Sequence, residues 1–113
     1  MNAPESDIHR MQDRAEEIAT RYAELNTRQG HHRWDTREYM EGYVGDVGAL
    51  MKLIMAKSGL RHIEDIDKKL IHEIGDNIWS LLVICRRLGI DPAEAFATTM
   101  DEIEERFQRW GSE

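Results

Sequence analysis

The sequence predicts an all-α fold, a single four-helix bundle. Apolar residues recur at intervals of three and four along most of the chain, as they do on one face of an amphipathic helix. Capping residues and glycines divide this pattern into four segments joined by short connections, and no stretch shows the alternation of a β-strand. A chain of 113 residues has room for one core, so we expect residues 1–113 to form one helical domain.

The composition limits the classes of partner. A net charge of −7 argues against a nucleic-acid polymer, which requires a basic face, but a bound cation can still bridge an acidic protein to a small phosphate. The longest apolar run, "IWSLLVIC" (78–85), is too short to span a bilayer. Its Cys85 has no second cysteine to pair with, and the N-terminus lacks a secretory pattern. We therefore expect a cytoplasmic protein without a membrane partner.

The first two helices are predicted from their start signals. Ser6 is the expected N-cap of a helix over residues 6–28, and Gly30 interrupts its period. Asp35 and Glu38 form a predicted capping box, from which the second helix runs to about Lys57. The apolar seam of the first helix consists of Ile8, Met11, Ala15, Ile18, Tyr22 and Leu25.

The second helix contains an unusual stretch, "EGYVGDVGALMKL" (41–53). Its glycines recur every three residues, and each costs about 1 kcal/mol relative to alanine. We expect this row to let a neighbouring helix, from this or another subunit, approach closely. Asp46 lies on the core-facing stripe, where a carboxylate is costly unless it is paired or bound to a metal. The glycines are Gly42, Gly45 and Gly48, and the apolar residues expected to be buried are Tyr43, Val44, Val47, Leu50, Met51 and Ile54.

The third and fourth helices follow the same logic. A broad apolar face predicts that the third helix, residues 66–88, is central and ends at Gly89. Asp91 as cap, Pro92 at the first helical position and Glu94 two residues later begin the fourth helix. The residues expected to face inward are Leu70, Ile74, Ile78, Leu81, Leu82 and Cys85 on the third helix, and Phe96, Met100, Ile103, Phe107 and Trp110 on the fourth.

Three acids border the predicted core. Glu73 and Asp76 are three residues apart and share a helix face, and Asp46 reaches them if the second and third helices pack antiparallel. Converging carboxylates repel one another unless a cation lies between them, and Mg²⁺ suits oxygen ligands. The alternative is that Glu73 and Asp76 pair with Lys69 or Arg61 and only solvate a groove.

The segment "LIHEIGDNIWSLLVICRRLGIDPAEAF" resembles the second half of a MazG-like nucleotide pyrophosphohydrolase. Glu73 and Asp76 match the E-x-x-D motif of that family, and "TMDEIEERF" is similar to its last helix. The first acidic motif falls on "GDVGAL", within "RWDTREYMEGYVGDVGAL", which is also similar to members of the family. The resemblance covers roughly residues 15–107.

The resemblance implies an all-α, Mg²⁺-dependent enzyme that converts a nucleoside triphosphate to the monophosphate and pyrophosphate. It implies that Asp46, Glu73 and Asp76 bind the metal and that Glu73 and Asp76 are catalytic. Members of the family are dimers or tetramers with the site near subunit contacts. A homodimer or homotetramer is therefore expected here, in agreement with the amount of apolar surface on the four helices.

The chain departs from the family pattern at several positions. Ala49 stands where the second acid of the first motif is expected, and Gly45 where a further acid is common. Thr99 and Ile103 replace a lysine and an asparagine that face the substrate in many members. Three interpretations stay open: an enzyme that binds Mg²⁺ through three carboxylates, an inactive nucleotide-binding or partner-binding module, and a helical oligomer without a ligand.

Three further side chains are candidates for substrate binding. Trp34 can stack on a base, and Lys52 and Lys69 can contact phosphates. The alternatives are that Trp34 packs on the start of the second helix and that the lysines are solvated. His72, beside Glu73 and four residues before Asp76, is expected either to orient a ligand or to lie on the helix surface.

Overall fold

The computed structural model describes residues 7–111, and this part of the chain contains four α-helices and no strand. They are α1 (Asp7–Arg28), α2 (Thr36–Lys57), α3 (Ile66–Leu88) and α4 (Pro92–Gly111). The predicted all-α class and the four helices are confirmed, whereas Ser6, the predicted cap of α1, lies outside the described residues. None of the four helices has the combination of length and apolar character needed to cross a membrane.

The helix ends have the predicted chemistry. The backbone N–H of Glu38 donates to Asp35 Oδ1 at 3.0 Å, and the Glu38 carboxylate accepts from the Asp35 N–H at 3.2 Å, which completes the capping box. Gly89 ends α3 with φ +70°, a conformation that glycine adopts without strain. Asp91 accepts the N–H of Ala93 at 2.9 Å and so caps α4. These signals are local, which is why the sequence located them.

Helix α3 is central, as predicted. It packs against both α2 and α1, whereas α4 packs mainly on α1. The Trp79 indole of α3 donates to the Ala15 carbonyl of α1 at 3.0 Å, and the Gln12 amide of α1 donates to the Leu82 carbonyl of α3 at 3.2 Å. The buried cluster that these contacts surround consists of Ala15, Ala19, Tyr39, Leu82, Val83 and Ile84.

The molecule is flat. Its extents are 60 × 50 × 27 Å, and its radius of gyration is 18.0 Å. A compact domain of this length has a radius of gyration of about 13 Å. Since α3 contacts α1 and α2 while α4 packs mainly on α1, the described helices leave much of one another's surface uncovered.

The buried face of α1 is not the predicted seam. Met11, Tyr22 and Leu25 of that seam are about half exposed, whereas Ala19 and Ala23 are buried together with Gln12 and the predicted Ala15. Alanine side chains allow α3 to pack closely on α1. The seam prediction followed the larger apolar side chains, but the smaller residues make the contact.

The apolar stripe predicted for α2 is also largely wrong. Val44 is 60% and Met51 57% exposed, because α2 turns the face that carries Tyr39 and Leu53 towards α3. A Cβ added at Gly45 or Gly48 would meet no atom within 4 Å, so no described helix approaches there. Among residues 7–111 the expected close approach at these two glycines is absent, and a close approach by another subunit stays a prediction. The other exposed members of the predicted stripe are Val47 and Ile54.

The inward-facing predictions fail for the aromatic residues of α4 and for part of α3. Phe96 is 65%, Phe107 62% and Trp110 61% exposed, since α1 is the main neighbour of α4, whereas Met100 and Ile103 are partly buried. On α3, one row of apolar residues is about half exposed or more. This row consists of Ile71, Ile74, Ile78 and Leu81, of which all but Ile71 had been predicted to face inward.

Candidate metal centre

Three carboxylates meet between α2 and α3. Asp46 comes from α2, and Glu73 and Asp76 come from successive turns of α3; one oxygen from each lies within 4.8 Å of the others. The helices run antiparallel, since Lys57 at the end of α2 pairs with Asp67 at the start of α3. The convergence expected from the sequence is therefore confirmed.

Asn77 holds the two helices in register at this point. Its side-chain amide donates to the Glu73 carbonyl at 2.8 Å and to the Asp46 carbonyl across the helix interface at 3.5 Å. The residue is buried, so these hydrogen bonds are protected from water. Sequence analysis missed Asn77, although its position one turn after Glu73 on the same face is a signal that would have identified it.

The three carboxylates repel one another when they are ionised. Burial raises the pKa of Glu73, and the charges of Asp46 and Asp76 raise it further, as does a hydrogen bond shared with the Asp46 carboxyl group. Glu73 Oε1 is buried without a hydrogen-bond partner. A buried oxygen of this kind is costly unless a proton or a cation satisfies it. The donor set fits Mg²⁺, which binds carboxylate oxygens and retains several waters.

No described lysine or arginine neutralises the cluster. Lys69 and Arg61, the alternative partners of the acids, form no ion pair with Glu73 or Asp76 within residues 7–111. The contact that is present is between His72 Nε2 and Asp76 Oδ2, at 3.2 Å. His72 is exposed, as one of the two expectations has it, and its contact with Asp76 leaves the orienting role a prediction.

An aromatic pocket of about 390 Å³ adjoins the carboxylates. Asp46 and Asp76 form one wall. Trp34 packs edge-to-face on Tyr39 at 5.4 Å between ring centroids, and Tyr39 packs in the same way on Trp79 at 5.8 Å. Trp34 is half exposed, so it both packs at the start of α2 and presents an aromatic surface to the pocket. Tyr22, Ala23, Asn26, Gly42 and Ser80 complete the lining.

A groove of about 750 Å³ lies next to Glu73. Lys52 and Lys69, the predicted phosphate contacts, line this groove and not the aromatic pocket. Ala49 also lines it, in the position where the family pattern has an acid. Neither cavity is lined by a described residue of α4, and Thr99 lines a separate cavity at the start of that helix.

Comparison with known proteins gave no significant match to a protein-family model, to a curated protein or to a solved structure. The functional assignment of the cluster therefore depends on the geometry described above and on the motif resemblance.

Proposed function

We propose that this chain is a Mg²⁺-dependent nucleoside triphosphate pyrophosphohydrolase, which converts the triphosphate to the monophosphate and pyrophosphate. The observation that carries the proposal is the convergence of Asp46, Glu73 and Asp76, with one buried Glu73 oxygen lacking a partner. An aromatic pocket beside these acids supports a nucleotide as the ligand. The MazG-like order of the motifs in the sequence also supports the proposal.

Each group has a defined role in this proposal. Asp46, Glu73 and Asp76 hold the metal, and Asn77 keeps α2 and α3 at the spacing that the three carboxylates require. Bound Mg²⁺ supplies charge neutralisation of phosphate oxygens and a lower pKa for a coordinated water. His72 fixes the orientation of Asp76. With Glu73 ionised, the site is ready to bind a cation.

The base is assigned to the aromatic pocket. Trp34 offers an exposed ring face, and base–aromatic stacking contributes about 1–3 kcal/mol per base. The rings of Tyr39 and Trp79 are held by edge-to-face packing and by the Trp79 hydrogen bond to α1, so the pocket is formed before a ligand arrives. Since every base has a π-face, stacking alone does not select one base over another.

An assay of nucleoside triphosphate hydrolysis tests the proposal. The protein is incubated with Mg²⁺ and a panel of nucleoside triphosphates, and pyrophosphate release is measured. We expect activity that Glu73→Gln and Asp76→Asn each reduce by at least 100-fold, because each variant removes a metal-binding charge. The matched control, Glu102→Gln, neutralises an exposed acid of α4 outside both cavities and leaves the activity unchanged.

A second candidate function follows from Ala49. With three carboxylates and no fourth acid, the site suits a nucleotide-binding or regulatory module that does not turn over its ligand. Magnesium-dependent nucleotide binding without pyrophosphate release, lost in Glu73→Gln, would favour this candidate. The absence of both binding and turnover in the wild-type protein would contradict both functions and leave a helical oligomer.

A further inference from the structure

The groove next to Glu73 is rich in lysine. Lys52 lies on α2, Lys68 and Lys69 lie at the start of α3, and all three line the groove together with one other acid, Asp65. The chain as a whole has a net charge of −7. The lining thus has three lysines against two acids, Asp65 and Glu73, and a groove with a net positive lining on an acidic protein attracts anions.

None of the three lysines is in an ion pair within the described residues. Within residues 7–111, Lys52, Lys68 and Lys69 form no ion pair or side-chain hydrogen bond. Lys57, which does not line the groove, is by contrast paired with Asp67 at 2.6 Å. The ammonium groups of the groove are thus available to a ligand.

The wall of the groove formed by α2 is open. Gly45, Gly48 and Ala49 line it, and a Cβ added at either glycine would meet no atom within 4 Å. A ligand can therefore approach the helix surface closely at this point. An acid at position 49 would add a third negative charge to the same groove, whereas alanine adds none.

The carboxylate cluster separates this groove from the aromatic pocket. Asp46 and Asp76 line the pocket, and Glu73 lines the groove. One of the groove residues, His72, also contacts Asp76. A nucleotide whose phosphate chain passes the carboxylates consequently has its base on one side of the cluster and its terminal phosphates on the other.

We propose that the lysine groove binds the terminal phosphates of the nucleotide and holds the pyrophosphate that hydrolysis releases. This assignment rests on the proposed function, because it places the scissile phosphate at the three carboxylates. The class of ligand is a phosphoanhydride chain, so the groove also binds inorganic tripolyphosphate and pyrophosphate. Nucleoside monophosphates, which end at the carboxylates, bind more weakly than triphosphates.

Binding of tripolyphosphate in EDTA tests the groove without the metal. Calorimetric titration of the wild-type protein is expected to show binding that weakens as salt is added. The double variant Lys52→Gln/Lys69→Gln is expected to bind about 100-fold more weakly, since each charged hydrogen bond contributes roughly a factor of ten. The matched control, Lys57→Gln, removes a paired lysine outside the groove and leaves the affinity unchanged.

A second pair of variants tests the role of Ala49. Ala49→Glu is expected to weaken tripolyphosphate binding in EDTA, because it adds a negative charge beside the lysines. Ala49→Gln has nearly the same shape without the charge and is expected to bind substantially better than Ala49→Glu. Equal affinities for these two variants would contradict the electrostatic role assigned to the groove.

The remaining outcomes separate this proposal from the proposed function. The groove assignment is overturned if the wild-type protein does not bind tripolyphosphate, or if Lys52→Gln/Lys69→Gln binds it equally well. If that double variant hydrolyses the triphosphate with an unchanged KM, the pyrophosphohydrolase function stands and the phosphate-binding role of the groove is wrong. If tripolyphosphate binding depends on the lysines but no pyrophosphate is released from nucleoside triphosphates with Mg²⁺, the phosphate-binding role of the groove stands and the enzymatic function is wrong.

Discussion

The carboxyl group of Glu73 links the metal centre to protein stability. Its pKa is raised in the folded protein by burial and by Asp46 and Asp76, whereas in the unfolded chain these influences are absent. Between the ordinary pKa and the raised one, the folded state therefore binds more protons than the unfolded state. The free energy of unfolding of the metal-free protein falls as pH rises through this interval. Metal binding requires the ionised carboxylate, so the affinity for Mg²⁺ rises over the same interval.

We predict opposite effects of Glu73→Gln with and without the metal. In EDTA at pH 7, the variant is expected to be more stable than the wild-type protein, because it lacks the charge that repels Asp46 and Asp76. The difference in stability between the variant and the wild-type protein becomes smaller towards pH 4, where Glu73 is protonated. With Mg²⁺ at 100 times its Kd, the wild-type protein gains about 2.7 kcal/mol, and the variant gains little. Thermal unfolding followed by circular dichroism measures both effects.

Glu102→Gln is the control for this experiment, since that acid lies on α4 outside the cluster. It is expected to respond to Mg²⁺ as the wild-type protein does. An equal rise of Tm on adding Mg²⁺ to wild type and to Glu73→Gln would show that the ion binds elsewhere.

At the level of secondary structure, α2 combines good capping with poor interior propensity. Asp35 and Glu38 complete a capping box, whose loss typically costs about 1 kcal/mol. Gly45 and Gly48 lie in the helix interior without a packing requirement that the described chain explains. Both line the lysine groove, and the lack of side chains at these positions leaves room for a ligand close to the helix backbone.

We predict that Gly45→Ala stabilises the protein by about 0.5–1 kcal/mol, because alanine loses less conformational entropy and its Cβ meets no neighbour. Gly89→Ala is the contrasting variant. Its φ of +70° strains an alanine, so we expect destabilisation of roughly 1 kcal/mol. Urea denaturation monitored by circular dichroism gives both values. A Gly45→Ala variant that is less stable or changes its oligomeric state would instead show that another subunit packs on this glycine.

At the scale of the whole molecule, one chain leaves much of its apolar surface uncovered. Val44 and Met51 of α2 lie on one exposed stripe, Ile71 of α3 on another, and Phe107 on the outer face of α4. Exposed apolar surface of this extent marks an interaction site. Gly45 and Lys52 lie about 80–120° around α2 from Val44 and Met51, but Gly48 lies within about 60° of both, since successive residues are 100° apart around a helix. Association through the apolar stripe of α2 therefore reaches the edge of the groove at Gly48.

We predict a homodimer or homotetramer in solution, formed by a second layer of helices from another copy. Light scattering is expected to give at least twice the chain mass of 13.2 kDa. Met51→Glu/Ile71→Glu is expected to lower this mass while helix content is retained, because charges in an apolar contact oppose association. Arg106→Glu changes an exposed polar position of α4 and is expected to leave the mass unchanged. A monomeric mass for the wild-type protein would contradict the prediction.

The sequence by itself determined the four helices, the N-caps of α2 and α4, the glycine that ends α3 and the meeting of the three acids. Capping chemistry depends on residues within one turn of a helix, so Asp35, Gly89 and Asp91 identify helix ends without any tertiary information. The three-residue spacing of Glu73 and Asp76 and the short connection after α2 were sufficient to bring Asp46 to them.

Only the tertiary structure decided which apolar residues are buried and what surrounds the acids. An amphipathic pattern shows which residues favour burial but not whether the covering surface belongs to the same chain, so Val44, Met51 and Phe107 were misplaced. The contacts among Trp34, Tyr39 and Trp79, and the grouping of Lys52 with Lys69, join residues far apart in sequence. Their proximity depends on how α1 and α2 pack against α3, and packing of this kind leaves no local signature.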